Sequence, residues 1–166
     1  MNRFVLLFSL MLLPFLGRTQ VDSKSAITAT FQYHPYDFFL GFGYQYAPQK
    51  WEQEARLSIG LNRSLFQRRF YPKLTYIFAY RLAIYKTFTC APFIRLDASF
   101  LDVSSDINSN RLTWLESNLG INVMNGKRWK YGLSSGIGPS WEWNSQHSGA
   151  IQTWNVFAEI NLTYEI

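Results

Sequence analysis

The chain is predicted to be all-β, an eight-stranded antiparallel up-and-down transmembrane β-barrel behind a cleaved signal peptide. Three observations carry this. Apolar residues alternate with small or polar ones at a period of two through almost all of the sequence after residue 20. Aromatic residues are 18% of the chain and fall into that alternation instead of at helical spacing. Turn chemistry divides the alternation into eight segments, an even number.

The opening, MNRFVLLFSLMLLPFLGRT, sets Arg3 ahead of an apolar run from Phe4 to Leu13, then Pro14 and a short polar end with Gly17 and Thr19. The run is too short to cross a bilayer as a helix, which takes about 20 residues, and its layout is that of a signal peptide over 1–19. The rest, 20–166, is enough for one domain. Losing Arg3 and Arg18 lowers the formal charge from +5 to +3, too mild and scattered to imply nucleic acid as a partner. The lone Cys90 rules out an internal disulfide framework.

Each strand follows from its alternation. Ser25–Tyr33 puts Ile27, Ala29, Phe31 and Tyr33 on one face, and Phe38–Tyr46 sets Phe38, Leu40, Phe42, Tyr44 and Tyr46 against Gly41, Gly43 and Gln45. Trp51–Leu61 opposes Ala55, Leu57, Ile59 and Leu61 to Glu54, Arg56, Ser58 and Gly60. Lys73–Tyr85 is the most regular, with Leu74, Tyr76, Phe78, Tyr80, Leu82 and Ile84 together. Phe88–Leu101 sets Ile94, Leu96, Ala98 and Phe100 against Arg95, Asp97 and Ser99, and Arg111–Met124 sets Leu115, Leu119, Ile121 and Val123 against Glu116, Asn118, Gly120 and Asn122. Trp129–Trp143 has a nearly bare face of Gly132, Gly136 and Gly138, and Thr153–Ile166 closes with Trp154, Val156, Ile160, Leu162 and Tyr164 against Asn155, Glu159, Asn161 and Thr163.

The connections sort onto two rims. The stretches 47–50, 85–87 and 125–128 are short, and Asn125-Gly126 suggests a type I′ turn. The stretches 34–37, 62–72, 102–110 and 144–150 are mostly longer, which is the asymmetry of outer-membrane barrels.

Volume decides which face points inward. The apolar face is far bulkier than the interior of an eight-stranded barrel can hold, so most of it faces out, and a belt of that size exceeds what a soluble monomer exposes. The glycine-, serine- and ion-bearing face is then the lumen. Between Tyr131 and Trp141 the strand projects to roughly 25 Å along the membrane normal, the height of a lipid-facing band. Rings therefore collect at two levels: Tyr46, Trp51, Phe88, Trp129, Tyr131 and Tyr164 at the turn rim, and Tyr33, Phe38, Phe100, Trp141, Trp143 and Trp154 at the loop rim.

With these features the chain resembles the small eight-stranded outer-membrane barrels, OmpA-like and OmpX-like in architecture, over nearly all of 20–166. The resemblance implies residence in a bacterial outer membrane, with its lipid and lipopolysaccharide as partners, another envelope protein as a further candidate, and no nucleic acid. It also implies an aromatic final residue, where this chain has Ile166 with Tyr164 nearby.

The candidate sites follow from placement. Glu54, Arg56, Arg81, Arg95, Asp97, Glu116, Lys130, Glu142 and Glu159 fall on the lumen face, and charges in a narrow, partly dry space must pair, so they are read as an internal ion network. Arg63, Arg68 and Arg69 in the second outer connection, with Lys73 beside it, suit contact with lipopolysaccharide phosphates. His34 and His147 lie in the first and last outer connections near Asp37, Glu142, Ser145 and Ser148, and the adjacent His147-Ser148 invites comparison with outer-membrane lipid A deacylases, which use a histidine and a serine near the last strand. Those enzymes space the two as H-x-S, and Glu159 has the wrong parity for a lipid-facing site. No metal-ligand spacing and no cofactor motif is present. The leading expectation is a non-enzymatic envelope protein with a plugged polar lumen, acting in envelope integrity, surface interaction or as a small subunit of an envelope assembly. An acyl hydrolase of lipid A or phospholipid using His147 and Ser148, and a narrow channel, are the rival expectations.

Overall fold

A computed structural model describes residues 23–48, 50–67, 69–85, 87–102, 111–144 and 149–166. The strands are β1 (Ser23–His34), β2 (Asp37–Pro48), β3 (Trp51–Gly60), β4 (Pro72–Tyr80), β5 (Leu82–Tyr85), β6 (Phe88–Asp102), β7 (Arg111–Gly126), β8 (Trp129–Asn144) and β9 (Ala150–Glu165). Every strand pairs antiparallel with its sequence neighbour apart from β4 and β5, which are one barrel stave interrupted at Arg81. β1 pairs with β9, and β4 pairs with β6, so the nine segments fill eight positions of a closed barrel. Closure joins the first and last strands, so among the described residues only overhanging ends, β5 among them, lack a partner on one side.

Local chemistry sets the joints. Only Pro35 and Tyr36 separate β1 from β2, a tighter connection than the four-residue loop expected from the sequence. Between β3 and β4 the chain makes a short π-helical turn, Asn62–Phe66. The Asp37 carboxylate holds its start, accepting the backbone N–H of Asn62 at 2.8 Å and of Arg63 at 3.0 Å, as a cap borrowed from the neighbouring hairpin. The expected type I′ turn at Asn125-Gly126 is not formed. Both residues are paired in the β7–β8 ladder, and the chain bends just beyond them, at Lys127 and Arg128. Gly126 has φ of 135°, a region that a side chain would strain.

Parity separates the two faces as the sequence leads one to expect. Along β9, Trp154, Val156, Ile160 and Leu162 are exposed while Asn155, Phe157, Glu159, Asn161 and Thr163 are buried. Leu57, Leu119 and Leu133, well inside their strands, are each 64% exposed, so the apolar belt covers the outer wall and not only its ends.

The lumen departs from the expectation of a polar filling in one respect. Large rings point inward at two levels. Phe39, Tyr71, Leu101 and Trp114 form one buried cluster on the loop side, with Tyr36 and Leu112 against it. Phe93 and Phe157 form a second with Ala79 and Ala91, their ring centroids 6.1 Å apart. The bare glycine face makes the second cluster fit: a methyl group at Gly120 would overlap the Phe93 ring, and one at Gly136 the Phe157 ring. Small residues on one strand thus make room for large ones on another.

Candidate functional site

Between the two ring clusters lies a buried ionic network. Two guanidiniums, Arg56 and Arg95, pair with three carboxylates, Glu54, Asp97 and Glu159, and the buried ammonium of Lys73 stands beside them, so these six formal charges balance. Arg56 donates through Nη1 to Glu159 at 2.6 Å and through Nη2 to Glu54 at 2.7 Å. Arg95 donates through Nη1 to Glu159 at 2.9 Å, through Nε to Asp97 at 2.7 Å and through Nη2 to Gln32 at 2.9 Å. Lys73 also donates to Gln32, and its ammonium sits 3.7 Å from the centre of the Phe39 ring. Thr28 donates to Glu54, and Thr75 to Asp97. Desolvation of such ions is offset only because nearly every donor and acceptor is engaged. The Arg95 guanidinium further lies 4.4 Å from the centre of the Phe157 ring, which ties the network to the second ring cluster. The space left beside it, lined by Thr28, Arg56, Phe93, Asn161 and others, is about 20 Å³, room for about one water.

Other residues assigned to the lumen lie nearer its ends. Glu116 contacts the His34 ring at 3.0 Å and accepts from Asn155 at 3.1 Å. Glu142 accepts from the Trp114 indole at 3.0 Å. At the turn side Arg81 pairs with Glu52 and Lys130 with Glu165, both partly exposed contacts.

Two assignments made from sequence are corrected. Lys73 does not join the basic connection at the loop rim: it is 2% exposed and belongs to the lumen network. Its parity, shared with Thr75 and opposed to Leu74 and Tyr76, carries that information. His34 is not a side chain of the first outer connection: it ends β1, turns inward and is buried against Glu116. Ser145, His147, Ser148 and Arg68 lie outside the described residues. Of the remaining basic residues, Arg63 stacks over the Tyr71 ring at 5.3 Å, and the Arg69 backbone N–H bonds the Arg63 carbonyl at 2.9 Å. Burial pushes the Tyr71 phenol well above its ordinary pKa, so it stays neutral beneath that cation. Sequence reasoning missed Gln32, Glu52 and the inward rings Phe39, Phe93, Trp114 and Phe157; alternation would have found the rings, each of which shares parity with glycine or polar neighbours.

No protein family and no curated protein matches the chain. Among solved structures it is similar to the N-terminal β-barrel domain of Pseudomonas aeruginosa OprF, with a TM-score of 0.65 and 9% identity over 88% of this chain and 98% of that one. It is also similar to a major outer membrane protein from Thermus thermophilus, with a TM-score of 0.59 and 9% identity over 87% and 99% of the two chains. The fold is that of the small outer-membrane β-barrels. At such identities the likeness concerns the barrel alone.

Within this barrel outward rings stand at both strand ends and also mid-wall, as at Phe42 and Tyr44. On the turn side Trp51, Phe88, Trp129 and Tyr131 are exposed, with Tyr46 and Tyr164 half-buried; Trp129 packs on Tyr164 at 4.6 Å and Trp51 on Phe78 at 4.9 Å. On the loop side Tyr33, Phe38, Phe100, Trp143 and Trp154 are exposed and Trp141 is half-buried.

Proposed function

We propose that the chain is a non-enzymatic protein of the bacterial outer membrane whose barrel is a closed anchor, serving envelope integrity, surface contact or a larger envelope assembly as a small subunit. The observation that carries this is the inversion of the usual pattern. Exposed Leu, Ile, Phe and Trp cover the outer wall while six ions are buried at the centre. Water would not sustain an apolar surface that extensive, and hydrocarbon would. The rings at the two strand ends suit the two headgroup levels, where amphipathic side chains settle. Residues 1–19 act in this reading as the export signal.

The lumen supports an anchor over a channel. An ion network with room for about one water beside it, between two layers of rings, supports a closed lumen over a conducting one. Arg63 and Arg69 on the loop side are placed to meet lipopolysaccharide phosphates, with Leu65 and Phe70, both exposed, beside them.

The test is a heat-modifiability gel on outer-membrane fractions. A band that fractionates with the outer membrane and changes mobility on boiling is the expected result. A heat-insensitive band, or recovery in the soluble fraction, overturns the reading. Planar-bilayer recordings are expected to show no discrete openings.

A further inference from the structure

The turn-side rim is strongly basic. Lys24, Lys50, Arg81, Lys127, Arg128 and Lys130 stand on it, against Glu52 and Glu165. Arg81 is engaged with Glu52, and Glu165 is shared between Lys24, at 3.4 Å, and Lys130. Among the described residues this leaves Lys50, Lys127 and Arg128, all exposed, without a carboxylate partner. Five of the six cations, all but Lys50, line one open basin together with Glu165.

Arg128 is the best held of these. Its guanidinium lies 5.0 Å from the centre of the Tyr164 ring, and its Nε donates to the Glu165 carbonyl at 3.3 Å. A guanidinium has five N–H donors, so its two Nη groups remain available for an oxyanion. Tyr164 belongs to the outward row of β9 and packs on Trp129, which is 60% exposed. The cation is therefore held on the rim, between the basin and the outer wall that carries Tyr164 and Trp129.

We propose that the β7–β8 turn is a binding site for an anionic phospholipid, with Arg128 and Lys127 on the headgroup phosphate and Trp129 and Tyr164 as the shelf for the glycerol and upper acyl chain. This rests on the outer-membrane reading above. Short turns face the periplasm in such barrels, so the adjoining leaflet is the phospholipid one. Net positive charge with exposed aromatic rings at one height selects an anionic headgroup over a zwitterionic one.

The experiment uses the mature barrel, purified in mild detergent, delipidated, and mixed with equal amounts of dimyristoyl phosphatidylglycerol and dimyristoyl phosphatidylcholine before native mass spectrometry. Each Lys or Arg near an anionic lipid surface is worth about a fivefold factor, so the wild-type chain is expected to retain phosphatidylglycerol about tenfold or more over phosphatidylcholine. Lys127→Ser with Arg128→Ser is expected to remove most of that preference, while Arg63→Ser with Arg69→Ser on the opposite rim keeps it. Equal retention of the two lipids by the wild type, or an undiminished preference in the turn variant, overturns the proposal. So does complete displacement of the lipid by millimolar inorganic phosphate, which identifies a free-anion site, and so does an acidic periplasmic protein captured through Lys127 and Arg128 with no lipid retained. Heat modifiability is scored on each sample. A barrel that shifts on boiling without retaining phosphatidylglycerol refutes this site alone, whereas loss of the shift in the wild type refutes the membrane reading beneath it.

Discussion

Arg56 and Arg95, on β3 and β6, converge on one oxygen of Glu159, Oε2, at 2.6 and 2.9 Å. A single carboxylate on β9 thus links two like charges across the lumen, and each arginine has a second carboxylate of its own. Removing Glu159 would leave both guanidiniums short of a partner in a water-poor space. Glu159→Ala is expected to destabilise the barrel by about 3–5 kcal/mol, with Glu159→Asp recovering part of the loss. Urea unfolding in detergent, followed by the heat-shift assay, reads the difference.

Leu119 gives the sharpest test of which face meets lipid. It stands mid-strand on β7 and is 64% exposed. In a bilayer Leu119→Arg is expected to cost about 2–4 kcal/mol, the penalty for a cation near the midplane of a barrel wall. In a water-soluble barrel the same change would be nearly neutral. Folding yield into phospholipid vesicles distinguishes the two.

The Phe93–Phe157 layer predicts how the lumen opens. Phe157 is 1% exposed and Phe93 6%. Phe157→Ala is expected to lose about 3–5 kcal/mol of stability. Combining it with Phe93→Ala should admit water beside Arg95 and raise single-channel conductance above that of the wild type. A double variant as silent as the wild type would place the barrier at the Phe39–Tyr71–Leu101–Trp114 layer instead.

Asp37 is expected to control the β3–β4 connection. Its carboxylate satisfies the backbone N–H groups of Asn62 and Arg63, and Asp37→Ala frees both at a cost of about 1–3 kcal/mol. Faster trypsin cleavage at Arg63 and Arg69, with the rest of the barrel still protected, is the expected readout. Uniform protection in the variant would show that packing alone holds the connection.

Gly138 probes the closest approach between strands. A Cβ there would run into the Ser117 carbonyl, at a point where the ladder between β7 and β8 is interrupted beside Pro139. Proline has no N–H to contribute, so the local pairing has little reserve. Gly138→Ala is expected to slow folding and lower the temperature of the heat shift, through a clash that differs from the case of Gly149, where space is open and the φ of 126° is what a side chain would strain.

What one strand carries was legible without any coordinates. A period of two assigns each side chain to a face, and the bulk of the apolar face forces it outward, so the wall of Leu57, Leu119 and Leu133 and the inward placement of Glu54, Arg56, Arg95, Asp97, Glu116 and Glu159 follow from sequence. The pairs themselves do not. Arg56 and Glu159 are 103 residues apart, and only closure of β1 on β9 with a particular stagger brings them to one height. The same stagger carries Lys73 from the edge of a basic connection into the centre, turns His34 toward Glu116, and sets Phe93 and Phe157 over Gly120 and Gly136. Alternation is a property of neighbours along the chain, whereas depth within the barrel is a property of all eight strand positions at once, which is why the tertiary structure alone could decide it.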